Sequence, residues 1–293
     1  MHALDEFRGF VTPAEPLAPL TWFRLGGKAE FLAKPRSFAD LTALMAACRE
    51  ADLPVRVLAG GSNILVRDEG VRGVVIHLES PAFSDVTLDG NWVEAGAAVP
   101  LTALISQTAR AGLAGLEILT GIPGTVGGAL RGNARVRGGS ISQFVRKATV
   151  LTPSGEVLVR EKDELTFDDE NSSPDEALIL STLFELERED PETVVRRMRR
   201  IWIVKKENQP YGHQSSGSIF RDPSSETSAR MLIEQAGLKG ARSGGAEVSE
   251  RHANYIVAQP GATSADVIAL IKLIQSQVRT LLGVDLTLQI QIW

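Results

Sequence analysis

Val57-Leu58-Ala59-Gly60-Gly61-Ser62-Asn63-Ile64-Leu65 is the stretch that decides how this chain is read. An apolar strand runs into two glycines, two small polar residues follow, and a second apolar strand leaves. Glycine permits positive φ and lets a ligand approach the backbone closely. Successive N–H groups in such a turn form an anion nest, to which Ser62 and Asn63 add side-chain donors. An ordinary tight turn between strands is the alternative, and these residues alone support both.

A second stretch, Gly121-Ile122-Pro123-Gly124-Thr125-Val126-Gly127-Gly128, holds four glycines in eight residues between apolar flanks. Every glycine costs backbone entropy on folding, so this density needs a reason. Backbone packed against a large ligand is one reason, and a packed corner between domains is another. Neither stretch is the G-x-G-x-x-G dinucleotide fingerprint, and neither is followed by the Gly-Lys-Ser/Thr of a P-loop. Two separate glycine loops can grip one long diphosphate ligand such as a dinucleotide.

Working outward, residues 29–34 read as a strand and Ser37 as the cap of a helix, with Asp40 at capping-box spacing. Leu41, Leu44, Met45 and Cys48 form one apolar stripe. Strands follow at Val55 to Leu58 and Val74 to Leu78, a βα alternation that suggests a small α/β unit. Val86 to Val93 reads as a hairpin with a type I′ turn at Asp89-Gly90. Residues 100–111 form a helix with Leu101, Leu104 and Ile105 inward. Val150 to Val159 forms a second hairpin, and residues 161–176 an exposed acidic loop. Leu178 to Leu180 and Leu183 to Leu186 return to strand. Asp190-Pro191-Glu192 opens a long helix. Its Arg196, Arg197, Arg199, Arg200, Lys205 and Lys206 read as a solvated basic face. Helices at 228–236 and 264–282 precede a last strand from Asp285 to Ile292.

The bulk numbers are compatible with two or three domains: 293 residues, 43% hydrophobic. A net charge of −5 argues against nucleic-acid binding. Cys48 is the only cysteine, which excludes an internal disulfide or cysteine metal cluster and suits a reducing cytosol. No stretch approaches eighteen uninterrupted apolar residues, so no membrane span is expected. No His, Asp and Glu constellation has metal-ligand spacing.

With Gly60 to Leu65, Gly121 to Gly128 and Asn133, several later stretches complete a pattern. They are Ser216-Gly217-Ser218-Ile219-Phe220, Ala236-Gly237-Leu238-Lys239-Gly240 and Gly244-Gly245-Ala246-Glu247-Val248-Ser249 through His252-Ala253-Asn254, together with Thr21 to Gly27 near the start. In this order they resemble the UDP-N-acetylenolpyruvoylglucosamine reductase family, shorter subtype, over nearly the whole chain. The resemblance implies an α+β chain with an FAD-binding fold of the vanillyl-alcohol-oxidase (PCMH) type. Two flavin-binding subdomains, 1–79 and 80–190, would precede an α/β substrate domain at 191–293. It implies FAD as cofactor, NADPH as reductant, and reduction of an enolpyruvyl UDP-sugar ether to UDP-N-acetylmuramate. That step belongs to peptidoglycan precursor synthesis, expected here of a cytoplasmic monomer acting without nucleic acid or membrane.

The resemblance carries over residue by residue. It assigns cofactor contacts to Gly60, Gly61, Ser62, Asn63, Leu65, Gly121, Ile122, Pro123, Gly124, Thr125, Gly127, Gly128 and Asn133. Substrate contacts fall on Tyr211, Ser216, Arg221, Arg230, Arg242 and His252, although His252 between apolar runs also reads as structural. Ser218 is the expected proton donor. Glu170 stands where the family carries a catalytic arginine, and Gln289 where it carries a glutamate. Arg135, Arg137 or Arg230 is a candidate replacement cation. The two departures keep open a flavin-binding relative with impaired reductase activity that serves as a binding or regulatory protein. An oxidase or dehydrogenase acting on another substrate is a further alternative.

Overall fold

The computed structural model describes residues 4–136, 138–167, 178–210 and 212–293. Glu170, Arg137 and Tyr211 therefore lie outside the described residues, as does most of the acidic segment. The chain divides into two compact units: residues 1–13, 31–60 and 72–203 in one, residues 14–30, 61–71 and 204–293 in the other.

Two large buried cores organise the described residues of the first unit. One packs the helix Phe38–Glu50 through Leu41, Leu44, Met45 and Cys48, the stripe expected from sequence, together with Val74 and Ile76. The strand of these last two, Val71–His77, runs parallel to Val55–Leu58, with Val55 opposite Val74. Both belong to a four-stranded sheet in the order Val11–Pro16, Lys28–Ala33, Val71–His77, Val55–Leu58. The Ser37 hydroxyl accepts the Asp40 N–H at 3.1 Å, while the Asp40 carboxylate accepts the N–H of Arg36 at 3.0 Å. The reciprocal half of the expected capping box thus reaches one residue beyond the cap.

The second core lies under a five-stranded antiparallel sheet. Its order is Val157–Glu161, Val145–Leu151, Leu178–Glu185, Trp92–Gly96, Val86–Asp89. Leu101, Leu104 and Ile105 of the helix Leu101–Arg110 fill it, with Val126 and Leu130 of the helix Val126–Arg131. The two runs read as returning to strand, 178–180 and 183–186, are one unbroken strand, Leu178–Glu185.

Two sequence expectations change here. Asp89 pairs with Trp92, so the hairpin loop is Gly90-Asn91 and not Asp89-Gly90. Only Gly90 has positive φ, at +62°, whereas a type I′ turn needs it at both central residues. The long helix Pro191–Asn208 starts as expected, with the Asp190 carboxylate accepting both the N–H and the hydroxyl of Thr193 at 2.8 Å. Its basic residues are not all a solvated face. Arg197 pairs with Glu117 at 2.8 Å and Glu189 at 2.5 Å, and burial pushes the Lys205 ammonium down to about 8.

In the second unit, the helices Ala229–Gln235 and Ser264–Leu282 share a core with the three-stranded sheet 242–243, 246–248, 256–258. Thr263 and Asp266 form a full capping box, and Gly283 ends the longer helix in the left-handed region. The expected strand from Asp285 to Ile292 is regular only at Gln291–Ile292, which runs parallel to Ile64–Leu65. Before that, Leu288 bridges Phe220. The segment changes partner between Leu288 and Gln291, so it cannot hold one register. Among the described residues no helix is long and apolar enough to cross a membrane.

Leu104 is fully buried beneath the five-stranded sheet. Leu104→Ala should cost about 2–5 kcal/mol. Urea unfolding reads this as a lower midpoint at unchanged slope.

Candidate active site

Ala59 and Gly60 leave the strand Val55–Leu58 directly against the second glycine loop. A Cβ on Gly60 would lie 2.6 Å from Gly124 Cα, and one on Gly128 2.9 Å from the Ala59 Cβ. Real carbon atoms do not approach so closely, so Gly60 must be glycine because two backbones touch there, and Gly128 because the Ala59 side chain sits against it. Gly127 packs in the same way on Ala97, 2.8 Å from its Cβ. Gly121, Ile122, Pro123, Gly124 and Thr125 nevertheless stay half-exposed. Packing thus accounts for the inner side of the loops, and the outer side is open to a ligand. Thr125 caps the helix Val126–Arg131 through the Gly128 N–H at 3.4 Å.

Asn133, two residues past that helix, is 6% exposed and adopts φ +40°. Its Oδ1 has no hydrogen-bond partner among the described residues. An unsatisfied buried acceptor costs about 1–3 kcal/mol. A donor from a bound cofactor would remove that cost, so the residues present fit FAD.

The second unit gathers another set. The Gly217 N–H donates to the Ser62 carbonyl at 3.3 Å. The Ile219 N–H donates to the Asn254 carbonyl at 2.9 Å, and its carbonyl accepts the Gln289 N–H at 2.8 Å. The Gln289 carbonyl accepts from Asn63 Nδ2 at 3.0 Å. Ser218, half-buried, is therefore clamped on both sides, and Gln289 grows from a peptide tied at both ends. Gln291, two residues on, is exposed and accepts the Trp293 indole N–H at 3.3 Å. A Cβ on Gly217 would meet no protein atom within 4 Å, so open space lies beside the serine.

Leu65 is a core residue. It is fully buried in the core of the second unit, and its carbonyl accepts the Trp293 N–H at 2.9 Å. Its side chain packs in that core. Gly61 is also buried, with the position of a Cβ filled by the Leu20 carbonyl.

The expected substrate residues are not all alike. Ser216 is buried with its hydroxyl unpartnered among the described residues. Arg221 Nε donates to the Leu288 carbonyl at 3.2 Å, one residue from Gln289. Arg230 pairs with Glu234 at 3.0 Å and Arg242 with Glu247 at 2.8 Å, so both charges have partners. Arg135 sits exposed on the short strand Arg135–Val136 of the first unit. Burial, then the charge of Arg230, pushes the His252 imidazole down to about 4, and its Nδ1 has no partner among the described residues.

Sequence reasoning missed two residues. The Asn254 side-chain amide pairs like a strand with Phe220, accepting its N–H at 2.9 Å and donating to its carbonyl at 2.8 Å. Glu117 is a buried acid inside an apolar run, and that oddity was its only signal.

Residues 29–160 match the FAD binding domain, which with the α+β frame makes this an FAD-binding protein. Residues 209–293 match the C-terminal domain of UDP-N-acetylenolpyruvoylglucosamine reductase. The reductase of Heliobacterium modesticaldum is 39% identical over 98% of this chain and 92% of its own length. That of Methylorubrum extorquens is 38% identical over 99% and 93%. The crystal structure of the reductase from Thermus caldophilus superposes with a TM-score of 0.82 at 34% identity, covering 95% of this chain and 97% of that one. The chain belongs to the UDP-N-acetylenolpyruvoylglucosamine reductase family.

Two outcomes follow from this geometry. Gly60→Ala forces its loop away from Gly124 and should abolish flavin retention, read as loss of the 450 nm band in folded, purified protein. His252 supplies an acid-side stability loss. Its folded pKa lies below the unfolded 6.5, so the unfolded chain takes a proton first as pH falls. The loss should begin near pH 6.5, be complete near pH 4 and amount to roughly 3 kcal/mol at most. In His252→Gln, urea midpoints across that window should fall less steeply than in wild type.

Proposed function

We propose that this chain reduces the enolpyruvyl ether of a UDP-N-acetylglucosamine to UDP-N-acetylmuramate, with FAD as cofactor and NADPH as reductant. The single observation that carries the reading is the near full-length relationship to reductases of that name. On this reading the chain works as a cytoplasmic monomer, without nucleic acid or membrane. The two cores of the first unit then correspond to two flavin-holding subdomains, and the second unit carries most of the substrate side.

FAD, once bound and reduced by NADPH, would supply a hydride for the β-carbon of the unsaturated carboxylate. Negative charge then gathers on that carboxylate, and the α-carbon must be protonated. Ser218 is the group we assign to deliver the proton. Its hydroxyl is a weak acid, but the bonds to Gly217 and Ile219 fix its backbone, and placement offsets part of that weakness. Gln289 would donate through its amide to the developing charge. An amide gives direction without a full charge, so less stabilisation is expected than from an ionised group. The half-exposed Gly121 to Thr125 backbone and Asn133 would hold the cofactor.

Stopped-flow absorbance separates the half-reactions. In Ser218→Ala, NADPH should bleach the flavin at the wild-type rate. Reoxidation by the enolpyruvyl sugar nucleotide should slow by ~10²–10⁴. If wild-type protein holds flavin and is reduced by NADPH, yet the sugar nucleotide never reoxidises it, the proposed reaction is wrong.

A further inference from the structure

Resting on the flavin reading above, we infer that the pair formed by buried Glu117 and surface-exposed Arg197 is a positioning device for the cofactor loop Gly121–Gly128. Glu117 opens the path into that loop. Its side chain is 4% exposed, with Oε1 2.8 Å from Arg197 Nε and Oε2 accepting the Gly115 N–H at 2.5 Å. Its carbonyl accepts both the N–H and the hydroxyl of Thr120, at 3.1 and 2.7 Å. Thr120 is the residue before Gly121. One glutamate therefore binds the turn before it, the residue that enters the loop, and a cation on another element.

Arg197 comes from the helix Pro191–Asn208 and is held in turn by Glu189 at 2.5 Å. The Glu189 N–H donates to the Gly112 carbonyl at 2.9 Å, and the Gly112 N–H to the Ala109 carbonyl at 3.2 Å. The arginine is thus fixed from the far side, so it acts as an anchor for the glutamate and does not trail after it. The Glu117 carboxylate is buried and would be costly without a compensating cation, which Arg197 supplies from the surface. None of the three residues forms part of the glycine loop. Their effect on the cofactor runs through Thr120 and the start of that loop, where four glycines in eight residues give the backbone little stiffness of its own.

The test strips FAD and measures its rebinding by fluorescence quenching, alongside the melting temperatures of apo- and holoprotein. Wild-type rebinding is the control on the flavin reading itself: wild-type protein that binds no FAD overturns that reading and not merely the latch. Glu117→Gln and Arg197→Gln should each raise the FAD dissociation constant by about tenfold, within the ~5- to 150-fold span of typical couplings. The double variant should do no worse than the more severe single one, since the two act as a unit. Glu189→Gln, which spares the central pair, should change FAD affinity by much less. If both single variants bind FAD as tightly as wild type while apo- and holoprotein melt lower by equal amounts, the pair is structural only and the inference fails. If Glu117→Gln does not fold, Arg197→Lys carries the test, because it keeps the charge and loses the two-sided geometry. Unchanged FAD affinity in that variant would overturn the inference equally.

Discussion

Two backbones touching without side chains between them is the constraint on which the flavin-holding part of the structure depends. Gly60 and Gly124 approach so closely that no Cβ fits at Gly60, and the small Ala59 side chain closes on Gly128 beside them. The contact fixes the second glycine loop against the end of a parallel strand pair. That leaves residues 121–125 half-exposed with their inner side already committed. A cofactor-binding surface needs such stiffness, because ordering a loose loop at the moment of binding would consume affinity.

The second unit solves a similar problem with hydrogen bonds. Ser62, Asn63, Ile219, Asn254 and Gln289 knit three chain segments distant in sequence around Ser218. The bonds run mainly through main-chain groups and the Asn63 and Asn254 amides. The identity of the side chain at 289 is therefore free of the scaffold. A different side chain could stand at 289 without loss of the local frame. The chemistry at that position can change while the geometry stays.

Buried charge is the third element. Glu117 is held by Arg197 and backbone donors, whereas the half-buried His252 stays neutral because burial and the nearby Arg230 disfavour its proton. In both cases the neighbours decide the state of the group. The basic helix shows the same rule, since Arg197 is drawn into a network that its own sequence context, a run of arginines, did not announce.

The sequence by itself determined the elements whose signal is local. The Leu41, Leu44, Met45 and Cys48 stripe, the Ser37 and Thr263 caps and the Gly283 stop follow from periodicity and from groups a few residues apart. The order of its glycine and serine motifs was enough to reveal the family. Tertiary structure decided what depends on partners far along the chain. It split the last segment between Phe220 and Ile64–Leu65 and sent Leu65 into a core. It also joined Glu117 to Arg197 across eighty residues. Close approach and charge pairing act through space, and spacing along one sequence carries no record of which distant groups will meet.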